Sequence, residues 1–426
     1  MITIRIHGPI FLLMLALAFA AFGFIMGTEL WDGTDAQILI DAHALSNDPS
    51  PMFGHVGFYF SQPVLQLAFL AEYKLFGMDM AGYMAVNLVV HAFNAFIVFM
   101  LVHMLFPRKN MAILAAALFV LGVGSYGRVL TSIHQLESRL LASLHLLVLY
   151  FFIRNDFRRD GGVRSPLFAI GLALFLVTGL TKAASFSLIG CLIAYKAFFY
   201  RKRQGRSILS PDLLIFVAVG ILFHLARNQW GYQQPTVYED TTPPLQFTLL
   251  SFKNIFRYLN LMFFPIQKSP ILETAPAWVH IIFDITPIIR VFLTLAIISY
   301  SFFGFVFGSS AVRFFIAWTY ITLLPFTGHT ATGQWLNLSH LYLTSLGFCV
   351  ILAAGASGTS ASLSRRRWRK YLPYLVPLAF AAVSIGLTHQ LDLQHKRRAA
   401  KPEVIEMREN VIRACQKRPA RLEQVR

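Results

Sequence analysis

Apolar runs of about twenty residues recur along nearly the whole 426-residue chain, and this limits what it can fold into. A helix needs ~20 apolar residues to cross the ~30 Å hydrocarbon layer, where its backbone must satisfy its own hydrogen bonds. The runs cover 10–27, 81–106, 111–127, 134–153, 166–181, 184–200, 211–227, 287–307, 312–327, 339–358 and 371–388. Composition agrees: only 13% of residues are charged, against about 25% in soluble domains. Mean hydropathy is +0.59. A water-soluble multidomain enzyme is excluded. Cys191, Cys349 and Cys415 lie far apart, with neither a disulfide framework nor a zinc spacing.

A twelfth apolar run, 248–266, is interrupted by Lys253, Asn254, Arg257 and Asn260, as an interfacial or re-entrant helix would be. The net charge of +17 sits mostly in short blocks between apolar runs, at 107–109, 154–164, 201–206 and 364–370. Short basic loops stay cytoplasmic. All four blocks fall on that side if the N-terminus is inside and 248–266 does not cross. The reading is therefore an all-α polytopic membrane protein with about 11 transmembrane helices. Residues 1–388 form the transmembrane domain, and 389–426 a basic tail on the outer face with a short helix over 402–415. The expected location is a bacterial inner membrane, N-terminus cytoplasmic and C-terminus periplasmic. The first run, with Ala18-Phe19-Ala20, resembles a signal peptide but continues past that site, so it is read as an uncleaved anchor.

Two outer segments are long, 28–80 and 228–286, and long loops in compact proteins tend to carry function. Seven of the twenty acidic residues lie in or beside the first: Glu29, Asp32, Asp35, Asp41, Asp48, Glu72 and Asp79. Such a cluster suits general-base or cation chemistry, and is equally what a polar loop contains. Trp230, Tyr232, Tyr238, Trp278 and Trp335 suit interfacial anchoring, with sugar stacking as the alternative.

Within the second run Asn87, His91 and Asn94 share one helix face, either bonding other helices or lining a wet cavity. Lys182, at the turn between the fifth and sixth runs, could hold a phosphate or snorkel to headgroups. Arg227 and Arg257, the latter followed by Tyr258, place arginines on the outer side against the positive-inside bias, which an anionic ligand such as a lipid phosphate would explain. Nucleotide-binding, zinc-protease and serine-hydrolase motifs do not occur in a fitting context. The spans hold almost no acids, which disfavours a secondary transporter. No nucleic-acid partner is implied.

The stretch from Gln62-Pro63 to Met78-Asp79, continuing through Gly82-Tyr83 and Val86-Asn87-Leu88 to His91 and Asn94, resembles the multi-span GT-C glycosyltransferases. It looks most like protein O-mannosyltransferases and the transmembrane halves of TPR-bearing mannosyltransferases. Leu180-Thr181-Lys182, Arg257-Tyr258-Leu259 with Phe264-Pro265, Leu323-Leu324-Pro325, and the run from Leu341-Tyr342 to Gly347-Phe348 extend the likeness in order over most of 28–350. The resemblance implies transfer of a sugar from a polyprenyl-phosphate donor to an acceptor on the periplasmic or lumenal face. It implies Asp32 as base or metal ligand, with Asp35 supporting it and Glu137 as the nearest further acid. Lys182, Arg227, Arg257, Tyr258, His91 and Tyr342 would bind substrate. A divalent cation, Mg or Mn, would be the cofactor, tentatively on Asp32. Expected partners are the lipid-linked donor, membrane lipids and subunits of a membrane complex.

Several charged family positions are neutral here. Gly33 follows Asp32, Gln62 precedes Pro63, Gly127 and Ser339 replace charged residues, and Ala183 follows Lys182. Three readings therefore stand: a GT-C glycosyltransferase; a catalytically inactive GT-C-fold protein serving as a lipid-binding or scaffolding subunit; and, more distantly, a polysaccharide polymerase, ligase or transporter.

Overall fold

The computed structural model describes residues 2–30, 32–50, 62–106, 108–122, 128–158, 162–181, 186–200, 208–229, 244–263, 277–327, 336–362 and 369–416. Every regular element among them is helical. In chain order these are α1 (Ile2–Phe22), α2 (Gly33–Asn47), α3 (Pro63–Phe76), α4 (Met80–Leu105), α5 (Lys109–Gly122), α6 (Leu136–Asp156), α7 (Pro166–Gly179), α8 (Ser187–Tyr195), α9 (Pro211–Gln229) and α10 (Pro244–Phe263). There follow α11 (Ala277–Phe307), α12 (Ser310–Thr327), α13 (Leu341–Ser362), α14 (Leu375–Ala399) and α15 (Pro402–Gln416).

Among the described residues, seven helical stretches are long and apolar enough to cross a membrane: Gly8–Gly27, Met80–Leu105, Leu136–Asp156, Pro287–Phe307, Ser310–Thr327, Leu338–Ser360 and Tyr371–Ala399. Shorter apolar helices at Lys109–Gly122, Pro166–Gly179, Ser187–Phe199 and Pro211–Ala226 fall in the other four apolar runs. The protein is an integral membrane protein of the all-α polytopic class. Its outward faces are correspondingly apolar: on α11, Val291, Phe292, Leu295, Phe302 and Phe307 are all exposed. In water such a surface would drive aggregation; in a bilayer it meets acyl chains.

The interior holds the polar groups. α4 lies at the centre, packed against α1, α5 and α6. Its Asn87, His91 and Asn94 are buried. His91 Nδ1 meets the Tyr342 hydroxyl of α13 at 2.8 Å, and its Nε2 meets the Val120 carbonyl at 3.0 Å. Asn94 Nδ2 donates to the Tyr342 hydroxyl and to the Arg139 carbonyl, both at 3.0 Å, while Ser143 donates to its Oδ1 at 2.6 Å. Arg139 of α6 is fully buried and donates to Asn87 Oδ1. Helix-to-helix bonding is thus how that polar face is used.

α10 is continuous across the interrupted run. Its Asn254 and Asn260 are buried, donating to the Thr327 carbonyl and the Thr294 hydroxyl, each at 2.8 Å, while Lys253 is exposed. At the opposite end of α6 from Glu137, the buried Lys196 bridges Asp156 at 2.8 Å and Asp212 at 3.1 Å, tying α6 and α9 to the π-helical turn after α8.

Candidate functional site

Gly23–Gly27 forms a 3-10 turn after α1, and the chain then reaches Asp32, the N-cap of α2. Asp32 has extended backbone geometry, and its Oδ1 accepts from the Thr34 N–H at 2.9 Å, as a helix start requires. Its other oxygen, Oδ2, is paired with the guanidinium of Arg128, which lies just before α6. Asp32 therefore faces inward: its side chain is 14% exposed.

Asp35, one turn into α2, is buried and held by the segment leading into α6. Ser132 Oγ donates at 2.8 Å, and the backbone N–H groups of Ile133 and His134 donate at 3.1 and 3.0 Å. Burial pushes this carboxyl up, but the hydrogen bonds from His134 and Ser132 outweigh it and leave it below the usual carboxylate range. Asp35 fixes α2 to the start of α6 and has little capacity left for a ligand.

Beside Asp32 opens a polar cleft of about 460 Å³. Asp32, Gly33 and Arg128 form one wall, and Arg398, Lys401 and Glu403 the other. The second wall comes from the far end of the chain. α14 continues beyond the apolar run to Ala399, and α15 folds back onto α2. Three cationic side chains and two carboxylates thus share one concavity.

The residues expected to act together are distributed as follows. Asp32 lines the cleft, and Asp35 buttresses it from behind. Glu137 opens α6 and does not line the cleft. His91 and Tyr342 bond each other in the core. Arg257 donates to Asn254 at 2.8 Å and Tyr258 meets His340 Nδ1 at 3.0 Å, among α10, α12 and the start of α13, away from the Asp32 cleft. Lys182 lies outside the described residues, as does the side chain of Arg227. The cations that do face Asp32, namely Arg128, Arg398 and Lys401, were not singled out from sequence. Arg128 carried a usable signal, since it directly follows the apolar run 111–127 and stands apart from the basic blocks.

The donor set does not fit a divalent cation. Asp32 is engaged by Arg128 and Thr34, Asp35 by Ser132, Ile133 and His134, and no group of three or more His, Cys, Asp or Glu is arranged for a metal among the described residues.

No family model and no curated protein matches the chain. Solved structures do. The Archaeoglobus fulgidus oligosaccharyltransferase tethered to an acceptor peptide containing the NVT sequon matches with a TM-score of 0.51 and 14% identity, over 97% of this chain and 59% of that one. The archaeal oligosaccharyltransferase AglB from the same organism, in complex with an inhibitory peptide and a dolichol-phosphate, matches with a TM-score of 0.51 and 13% identity, over 97% and 60%. The chain has the GT-C fold. It spans about three fifths of those proteins' length, and at this identity the likeness speaks for the fold alone.

Proposed function

We propose that this protein is a GT-C glycosyltransferase that takes a sugar from a polyprenyl-phosphate donor and passes it to an acceptor in the outer-face cleft beside Asp32. One observation carries the reading: the carboxylate at the start of the first outer loop sits in a polar concavity with three cationic side chains. The complex of a protein of the same fold with a dolichol-phosphate is in keeping with a lipid-linked donor. The ordered residues from Gln62-Pro63 to Gly347-Phe348 favour the O-mannosyltransferase-like branch.

In this reading Asp32 accepts the proton of the acceptor hydroxyl as its oxygen bonds to the anomeric carbon. The bond from that carbon to the phosphate oxygen breaks, and the phosphate leaves with the electron pair. Arg128, Arg398 and Lys401 stabilise the charge that develops there. Arg128 is central, because a phosphate that draws its guanidinium away frees the Asp32 carboxylate. Asp35 positions the helix that carries Asp32. Lys182, Arg227, Arg257 and Tyr258 would then contact more distant parts of the donor, and Glu137 would support the acceptor side.

The membrane arrangement follows the same logic. Thr28 Oγ1 donates to Asp392 at 2.7 Å, so the end of α1 and the end of α14 share a face. That supports an odd number of crossings, eleven rather than twelve, with the N-terminus cytoplasmic and the tail periplasmic in a bacterial inner membrane.

Asp32→Asn is the test. It keeps the helix cap and removes the base, so transfer of labelled sugar from a polyprenyl-phosphate donor in vesicles should fall by about 10²-fold or more with the thermal midpoint little changed. A second reading, a non-catalytic scaffolding or lipid-binding subunit, draws on the Arg128 pairing and on the neutral residues at Gly33, Gly127 and Ser339. An unchanged glycan profile in Asp32→Asn would favour it.

A further inference from the structure

The cleft is assembled from two parts of the chain, and its second wall is fastened in place by groups that do not line it. Thr28 bonds to Asp392, which is buried and also paired with Lys396 at 2.8 Å. Arg408 of α15 pairs with Glu29, and its other terminal nitrogen donates to the Ala399 carbonyl at 2.9 Å, closing the corner between α14 and α15. Farther along α15, Val411 is buried, and Tyr73 of α3 and Cys415 both pack partly buried against the core. These links set the corner that bears Arg398 and Lys401 against Asp32 and Arg128.

Docking this corner has an electrostatic consequence. It brings Arg398 and Lys401 to the side of the cleft opposite Arg128, so cationic side chains face it from both walls. The Lys401–Glu403 contact at the start of α15 is 3.7 Å long and exposed, so it holds Lys401 only weakly. A doubly charged phosphate or a diphosphate between the walls would meet cations from both, and arginine presents a fork suited to it. Two events that stabilise the same arrangement must strengthen each other reciprocally.

We propose that Arg398 and Lys401 bind the phosphate or diphosphate group in this cleft, and that the α14–α15 corner is a strap whose docking, positioned by Asp392 and Arg408, is coupled to occupancy. This rests on the reading of the cleft as a phosphate site. The chain carries its own reporter: Cys191 and Cys349 are buried, whereas Cys415 is partly exposed on the strap.

The experiment uses the full chain in nanodiscs, with pyrophosphate as a soluble probe and polyprenyl monophosphate included in the bilayer in a parallel arm. Either probe should slow maleimide labelling of Cys415 several-fold, and the arm with the larger effect identifies a free or a lipid-borne phosphate. Arg408→Gln, at a side chain that does not line the cleft, should speed labelling and weaken pyrophosphate binding by about tenfold, within the usual span of coupling between sites. Saturating pyrophosphate should restore slow labelling. Arg398→Gln with Lys401→Gln should abolish the protection. Continued silence of Cys191 and Cys349 establishes that each variant is folded. If Arg408→Gln speeds labelling while affinity is unchanged, the coupling is overturned and the phosphate site survives. If neither probe binds the wild-type protein while Cys415 stays slow, the phosphate site itself is overturned.

Discussion

Two carboxylates on the packed helices α2 and α3 behave oppositely, and the difference is hydrogen bonding. Asp35 is buried but receives a hydroxyl and two backbone N–H groups. Its folded-state pKa is depressed, so the stability it contributes is whole above its ordinary value of 3.8 and is lost as pH falls through the lower folded value. Asp35→Ala should cost about 2–3 kcal/mol at pH 7, read as a lowered thermal midpoint, because it leaves those donors buried and unsatisfied. Glu72 of α3 is buried with its Oε1 lacking a hydrogen-bond partner among the described residues. Burial raises its pKa to about 7, offset only in part by the charge of Arg139. A raised carboxyl is stabilising when protonated, so ionisation costs nothing below about pH 4.5 and the cost grows as pH rises through 7. Glu72→Gln should therefore raise the thermal midpoint at pH 8, by up to about 3 kcal/mol of stability, and change it little at pH 5.

At the scale of elements, polar side chains decide how helices meet. Lys196 is fully buried between Asp156 at the end of α6 and Asp212 at the start of α9. Lys196→Met would strand two acids and should lower stability by about 3–5 kcal/mol, whereas adding Asp156→Asn and Asp212→Asn should recover most of it in the same melting assay. α10 shows where sequence patterning was legible and where it stopped. Its polar interruptions were readable at once, but an Asn on an otherwise apolar helix looks the same whether it meets headgroups or another helix. Here Asn254 and Asn260 meet α12 and α11. The polar face of α4 raised the same question, and His91, Asn87 and Asn94 answer it with partners on α5, α6 and α13. Each partner lies far away in sequence, and no local signal names it.

Across the whole molecule, the helical membrane architecture was legible because hydrocarbon imposes a length and a composition on every span. Each apolar run contains an apolar helix, from Gly8–Gly27 to Tyr371–Ala399. The candidate site was legible only in part. Asp32 could be singled out, since a carboxylate soon after the first apolar run is visible locally. Its counter-charges could not: Arg128 lies 96 residues away, and Arg398 and Lys401 read as an undifferentiated basic tail until α15 folds onto α2. Phosphate is expected to enter between those walls. The most direct measurement is an experimental structure of the protein in nanodiscs containing polyprenyl monophosphate. Phosphate density should be bonded to Arg128, Arg398 and Lys401, with the Asp32 carboxylate released from Arg128 and open to the cleft. A lipid phosphate bound elsewhere, with Asp32 still paired to Arg128 and the cleft holding only water, would contradict it.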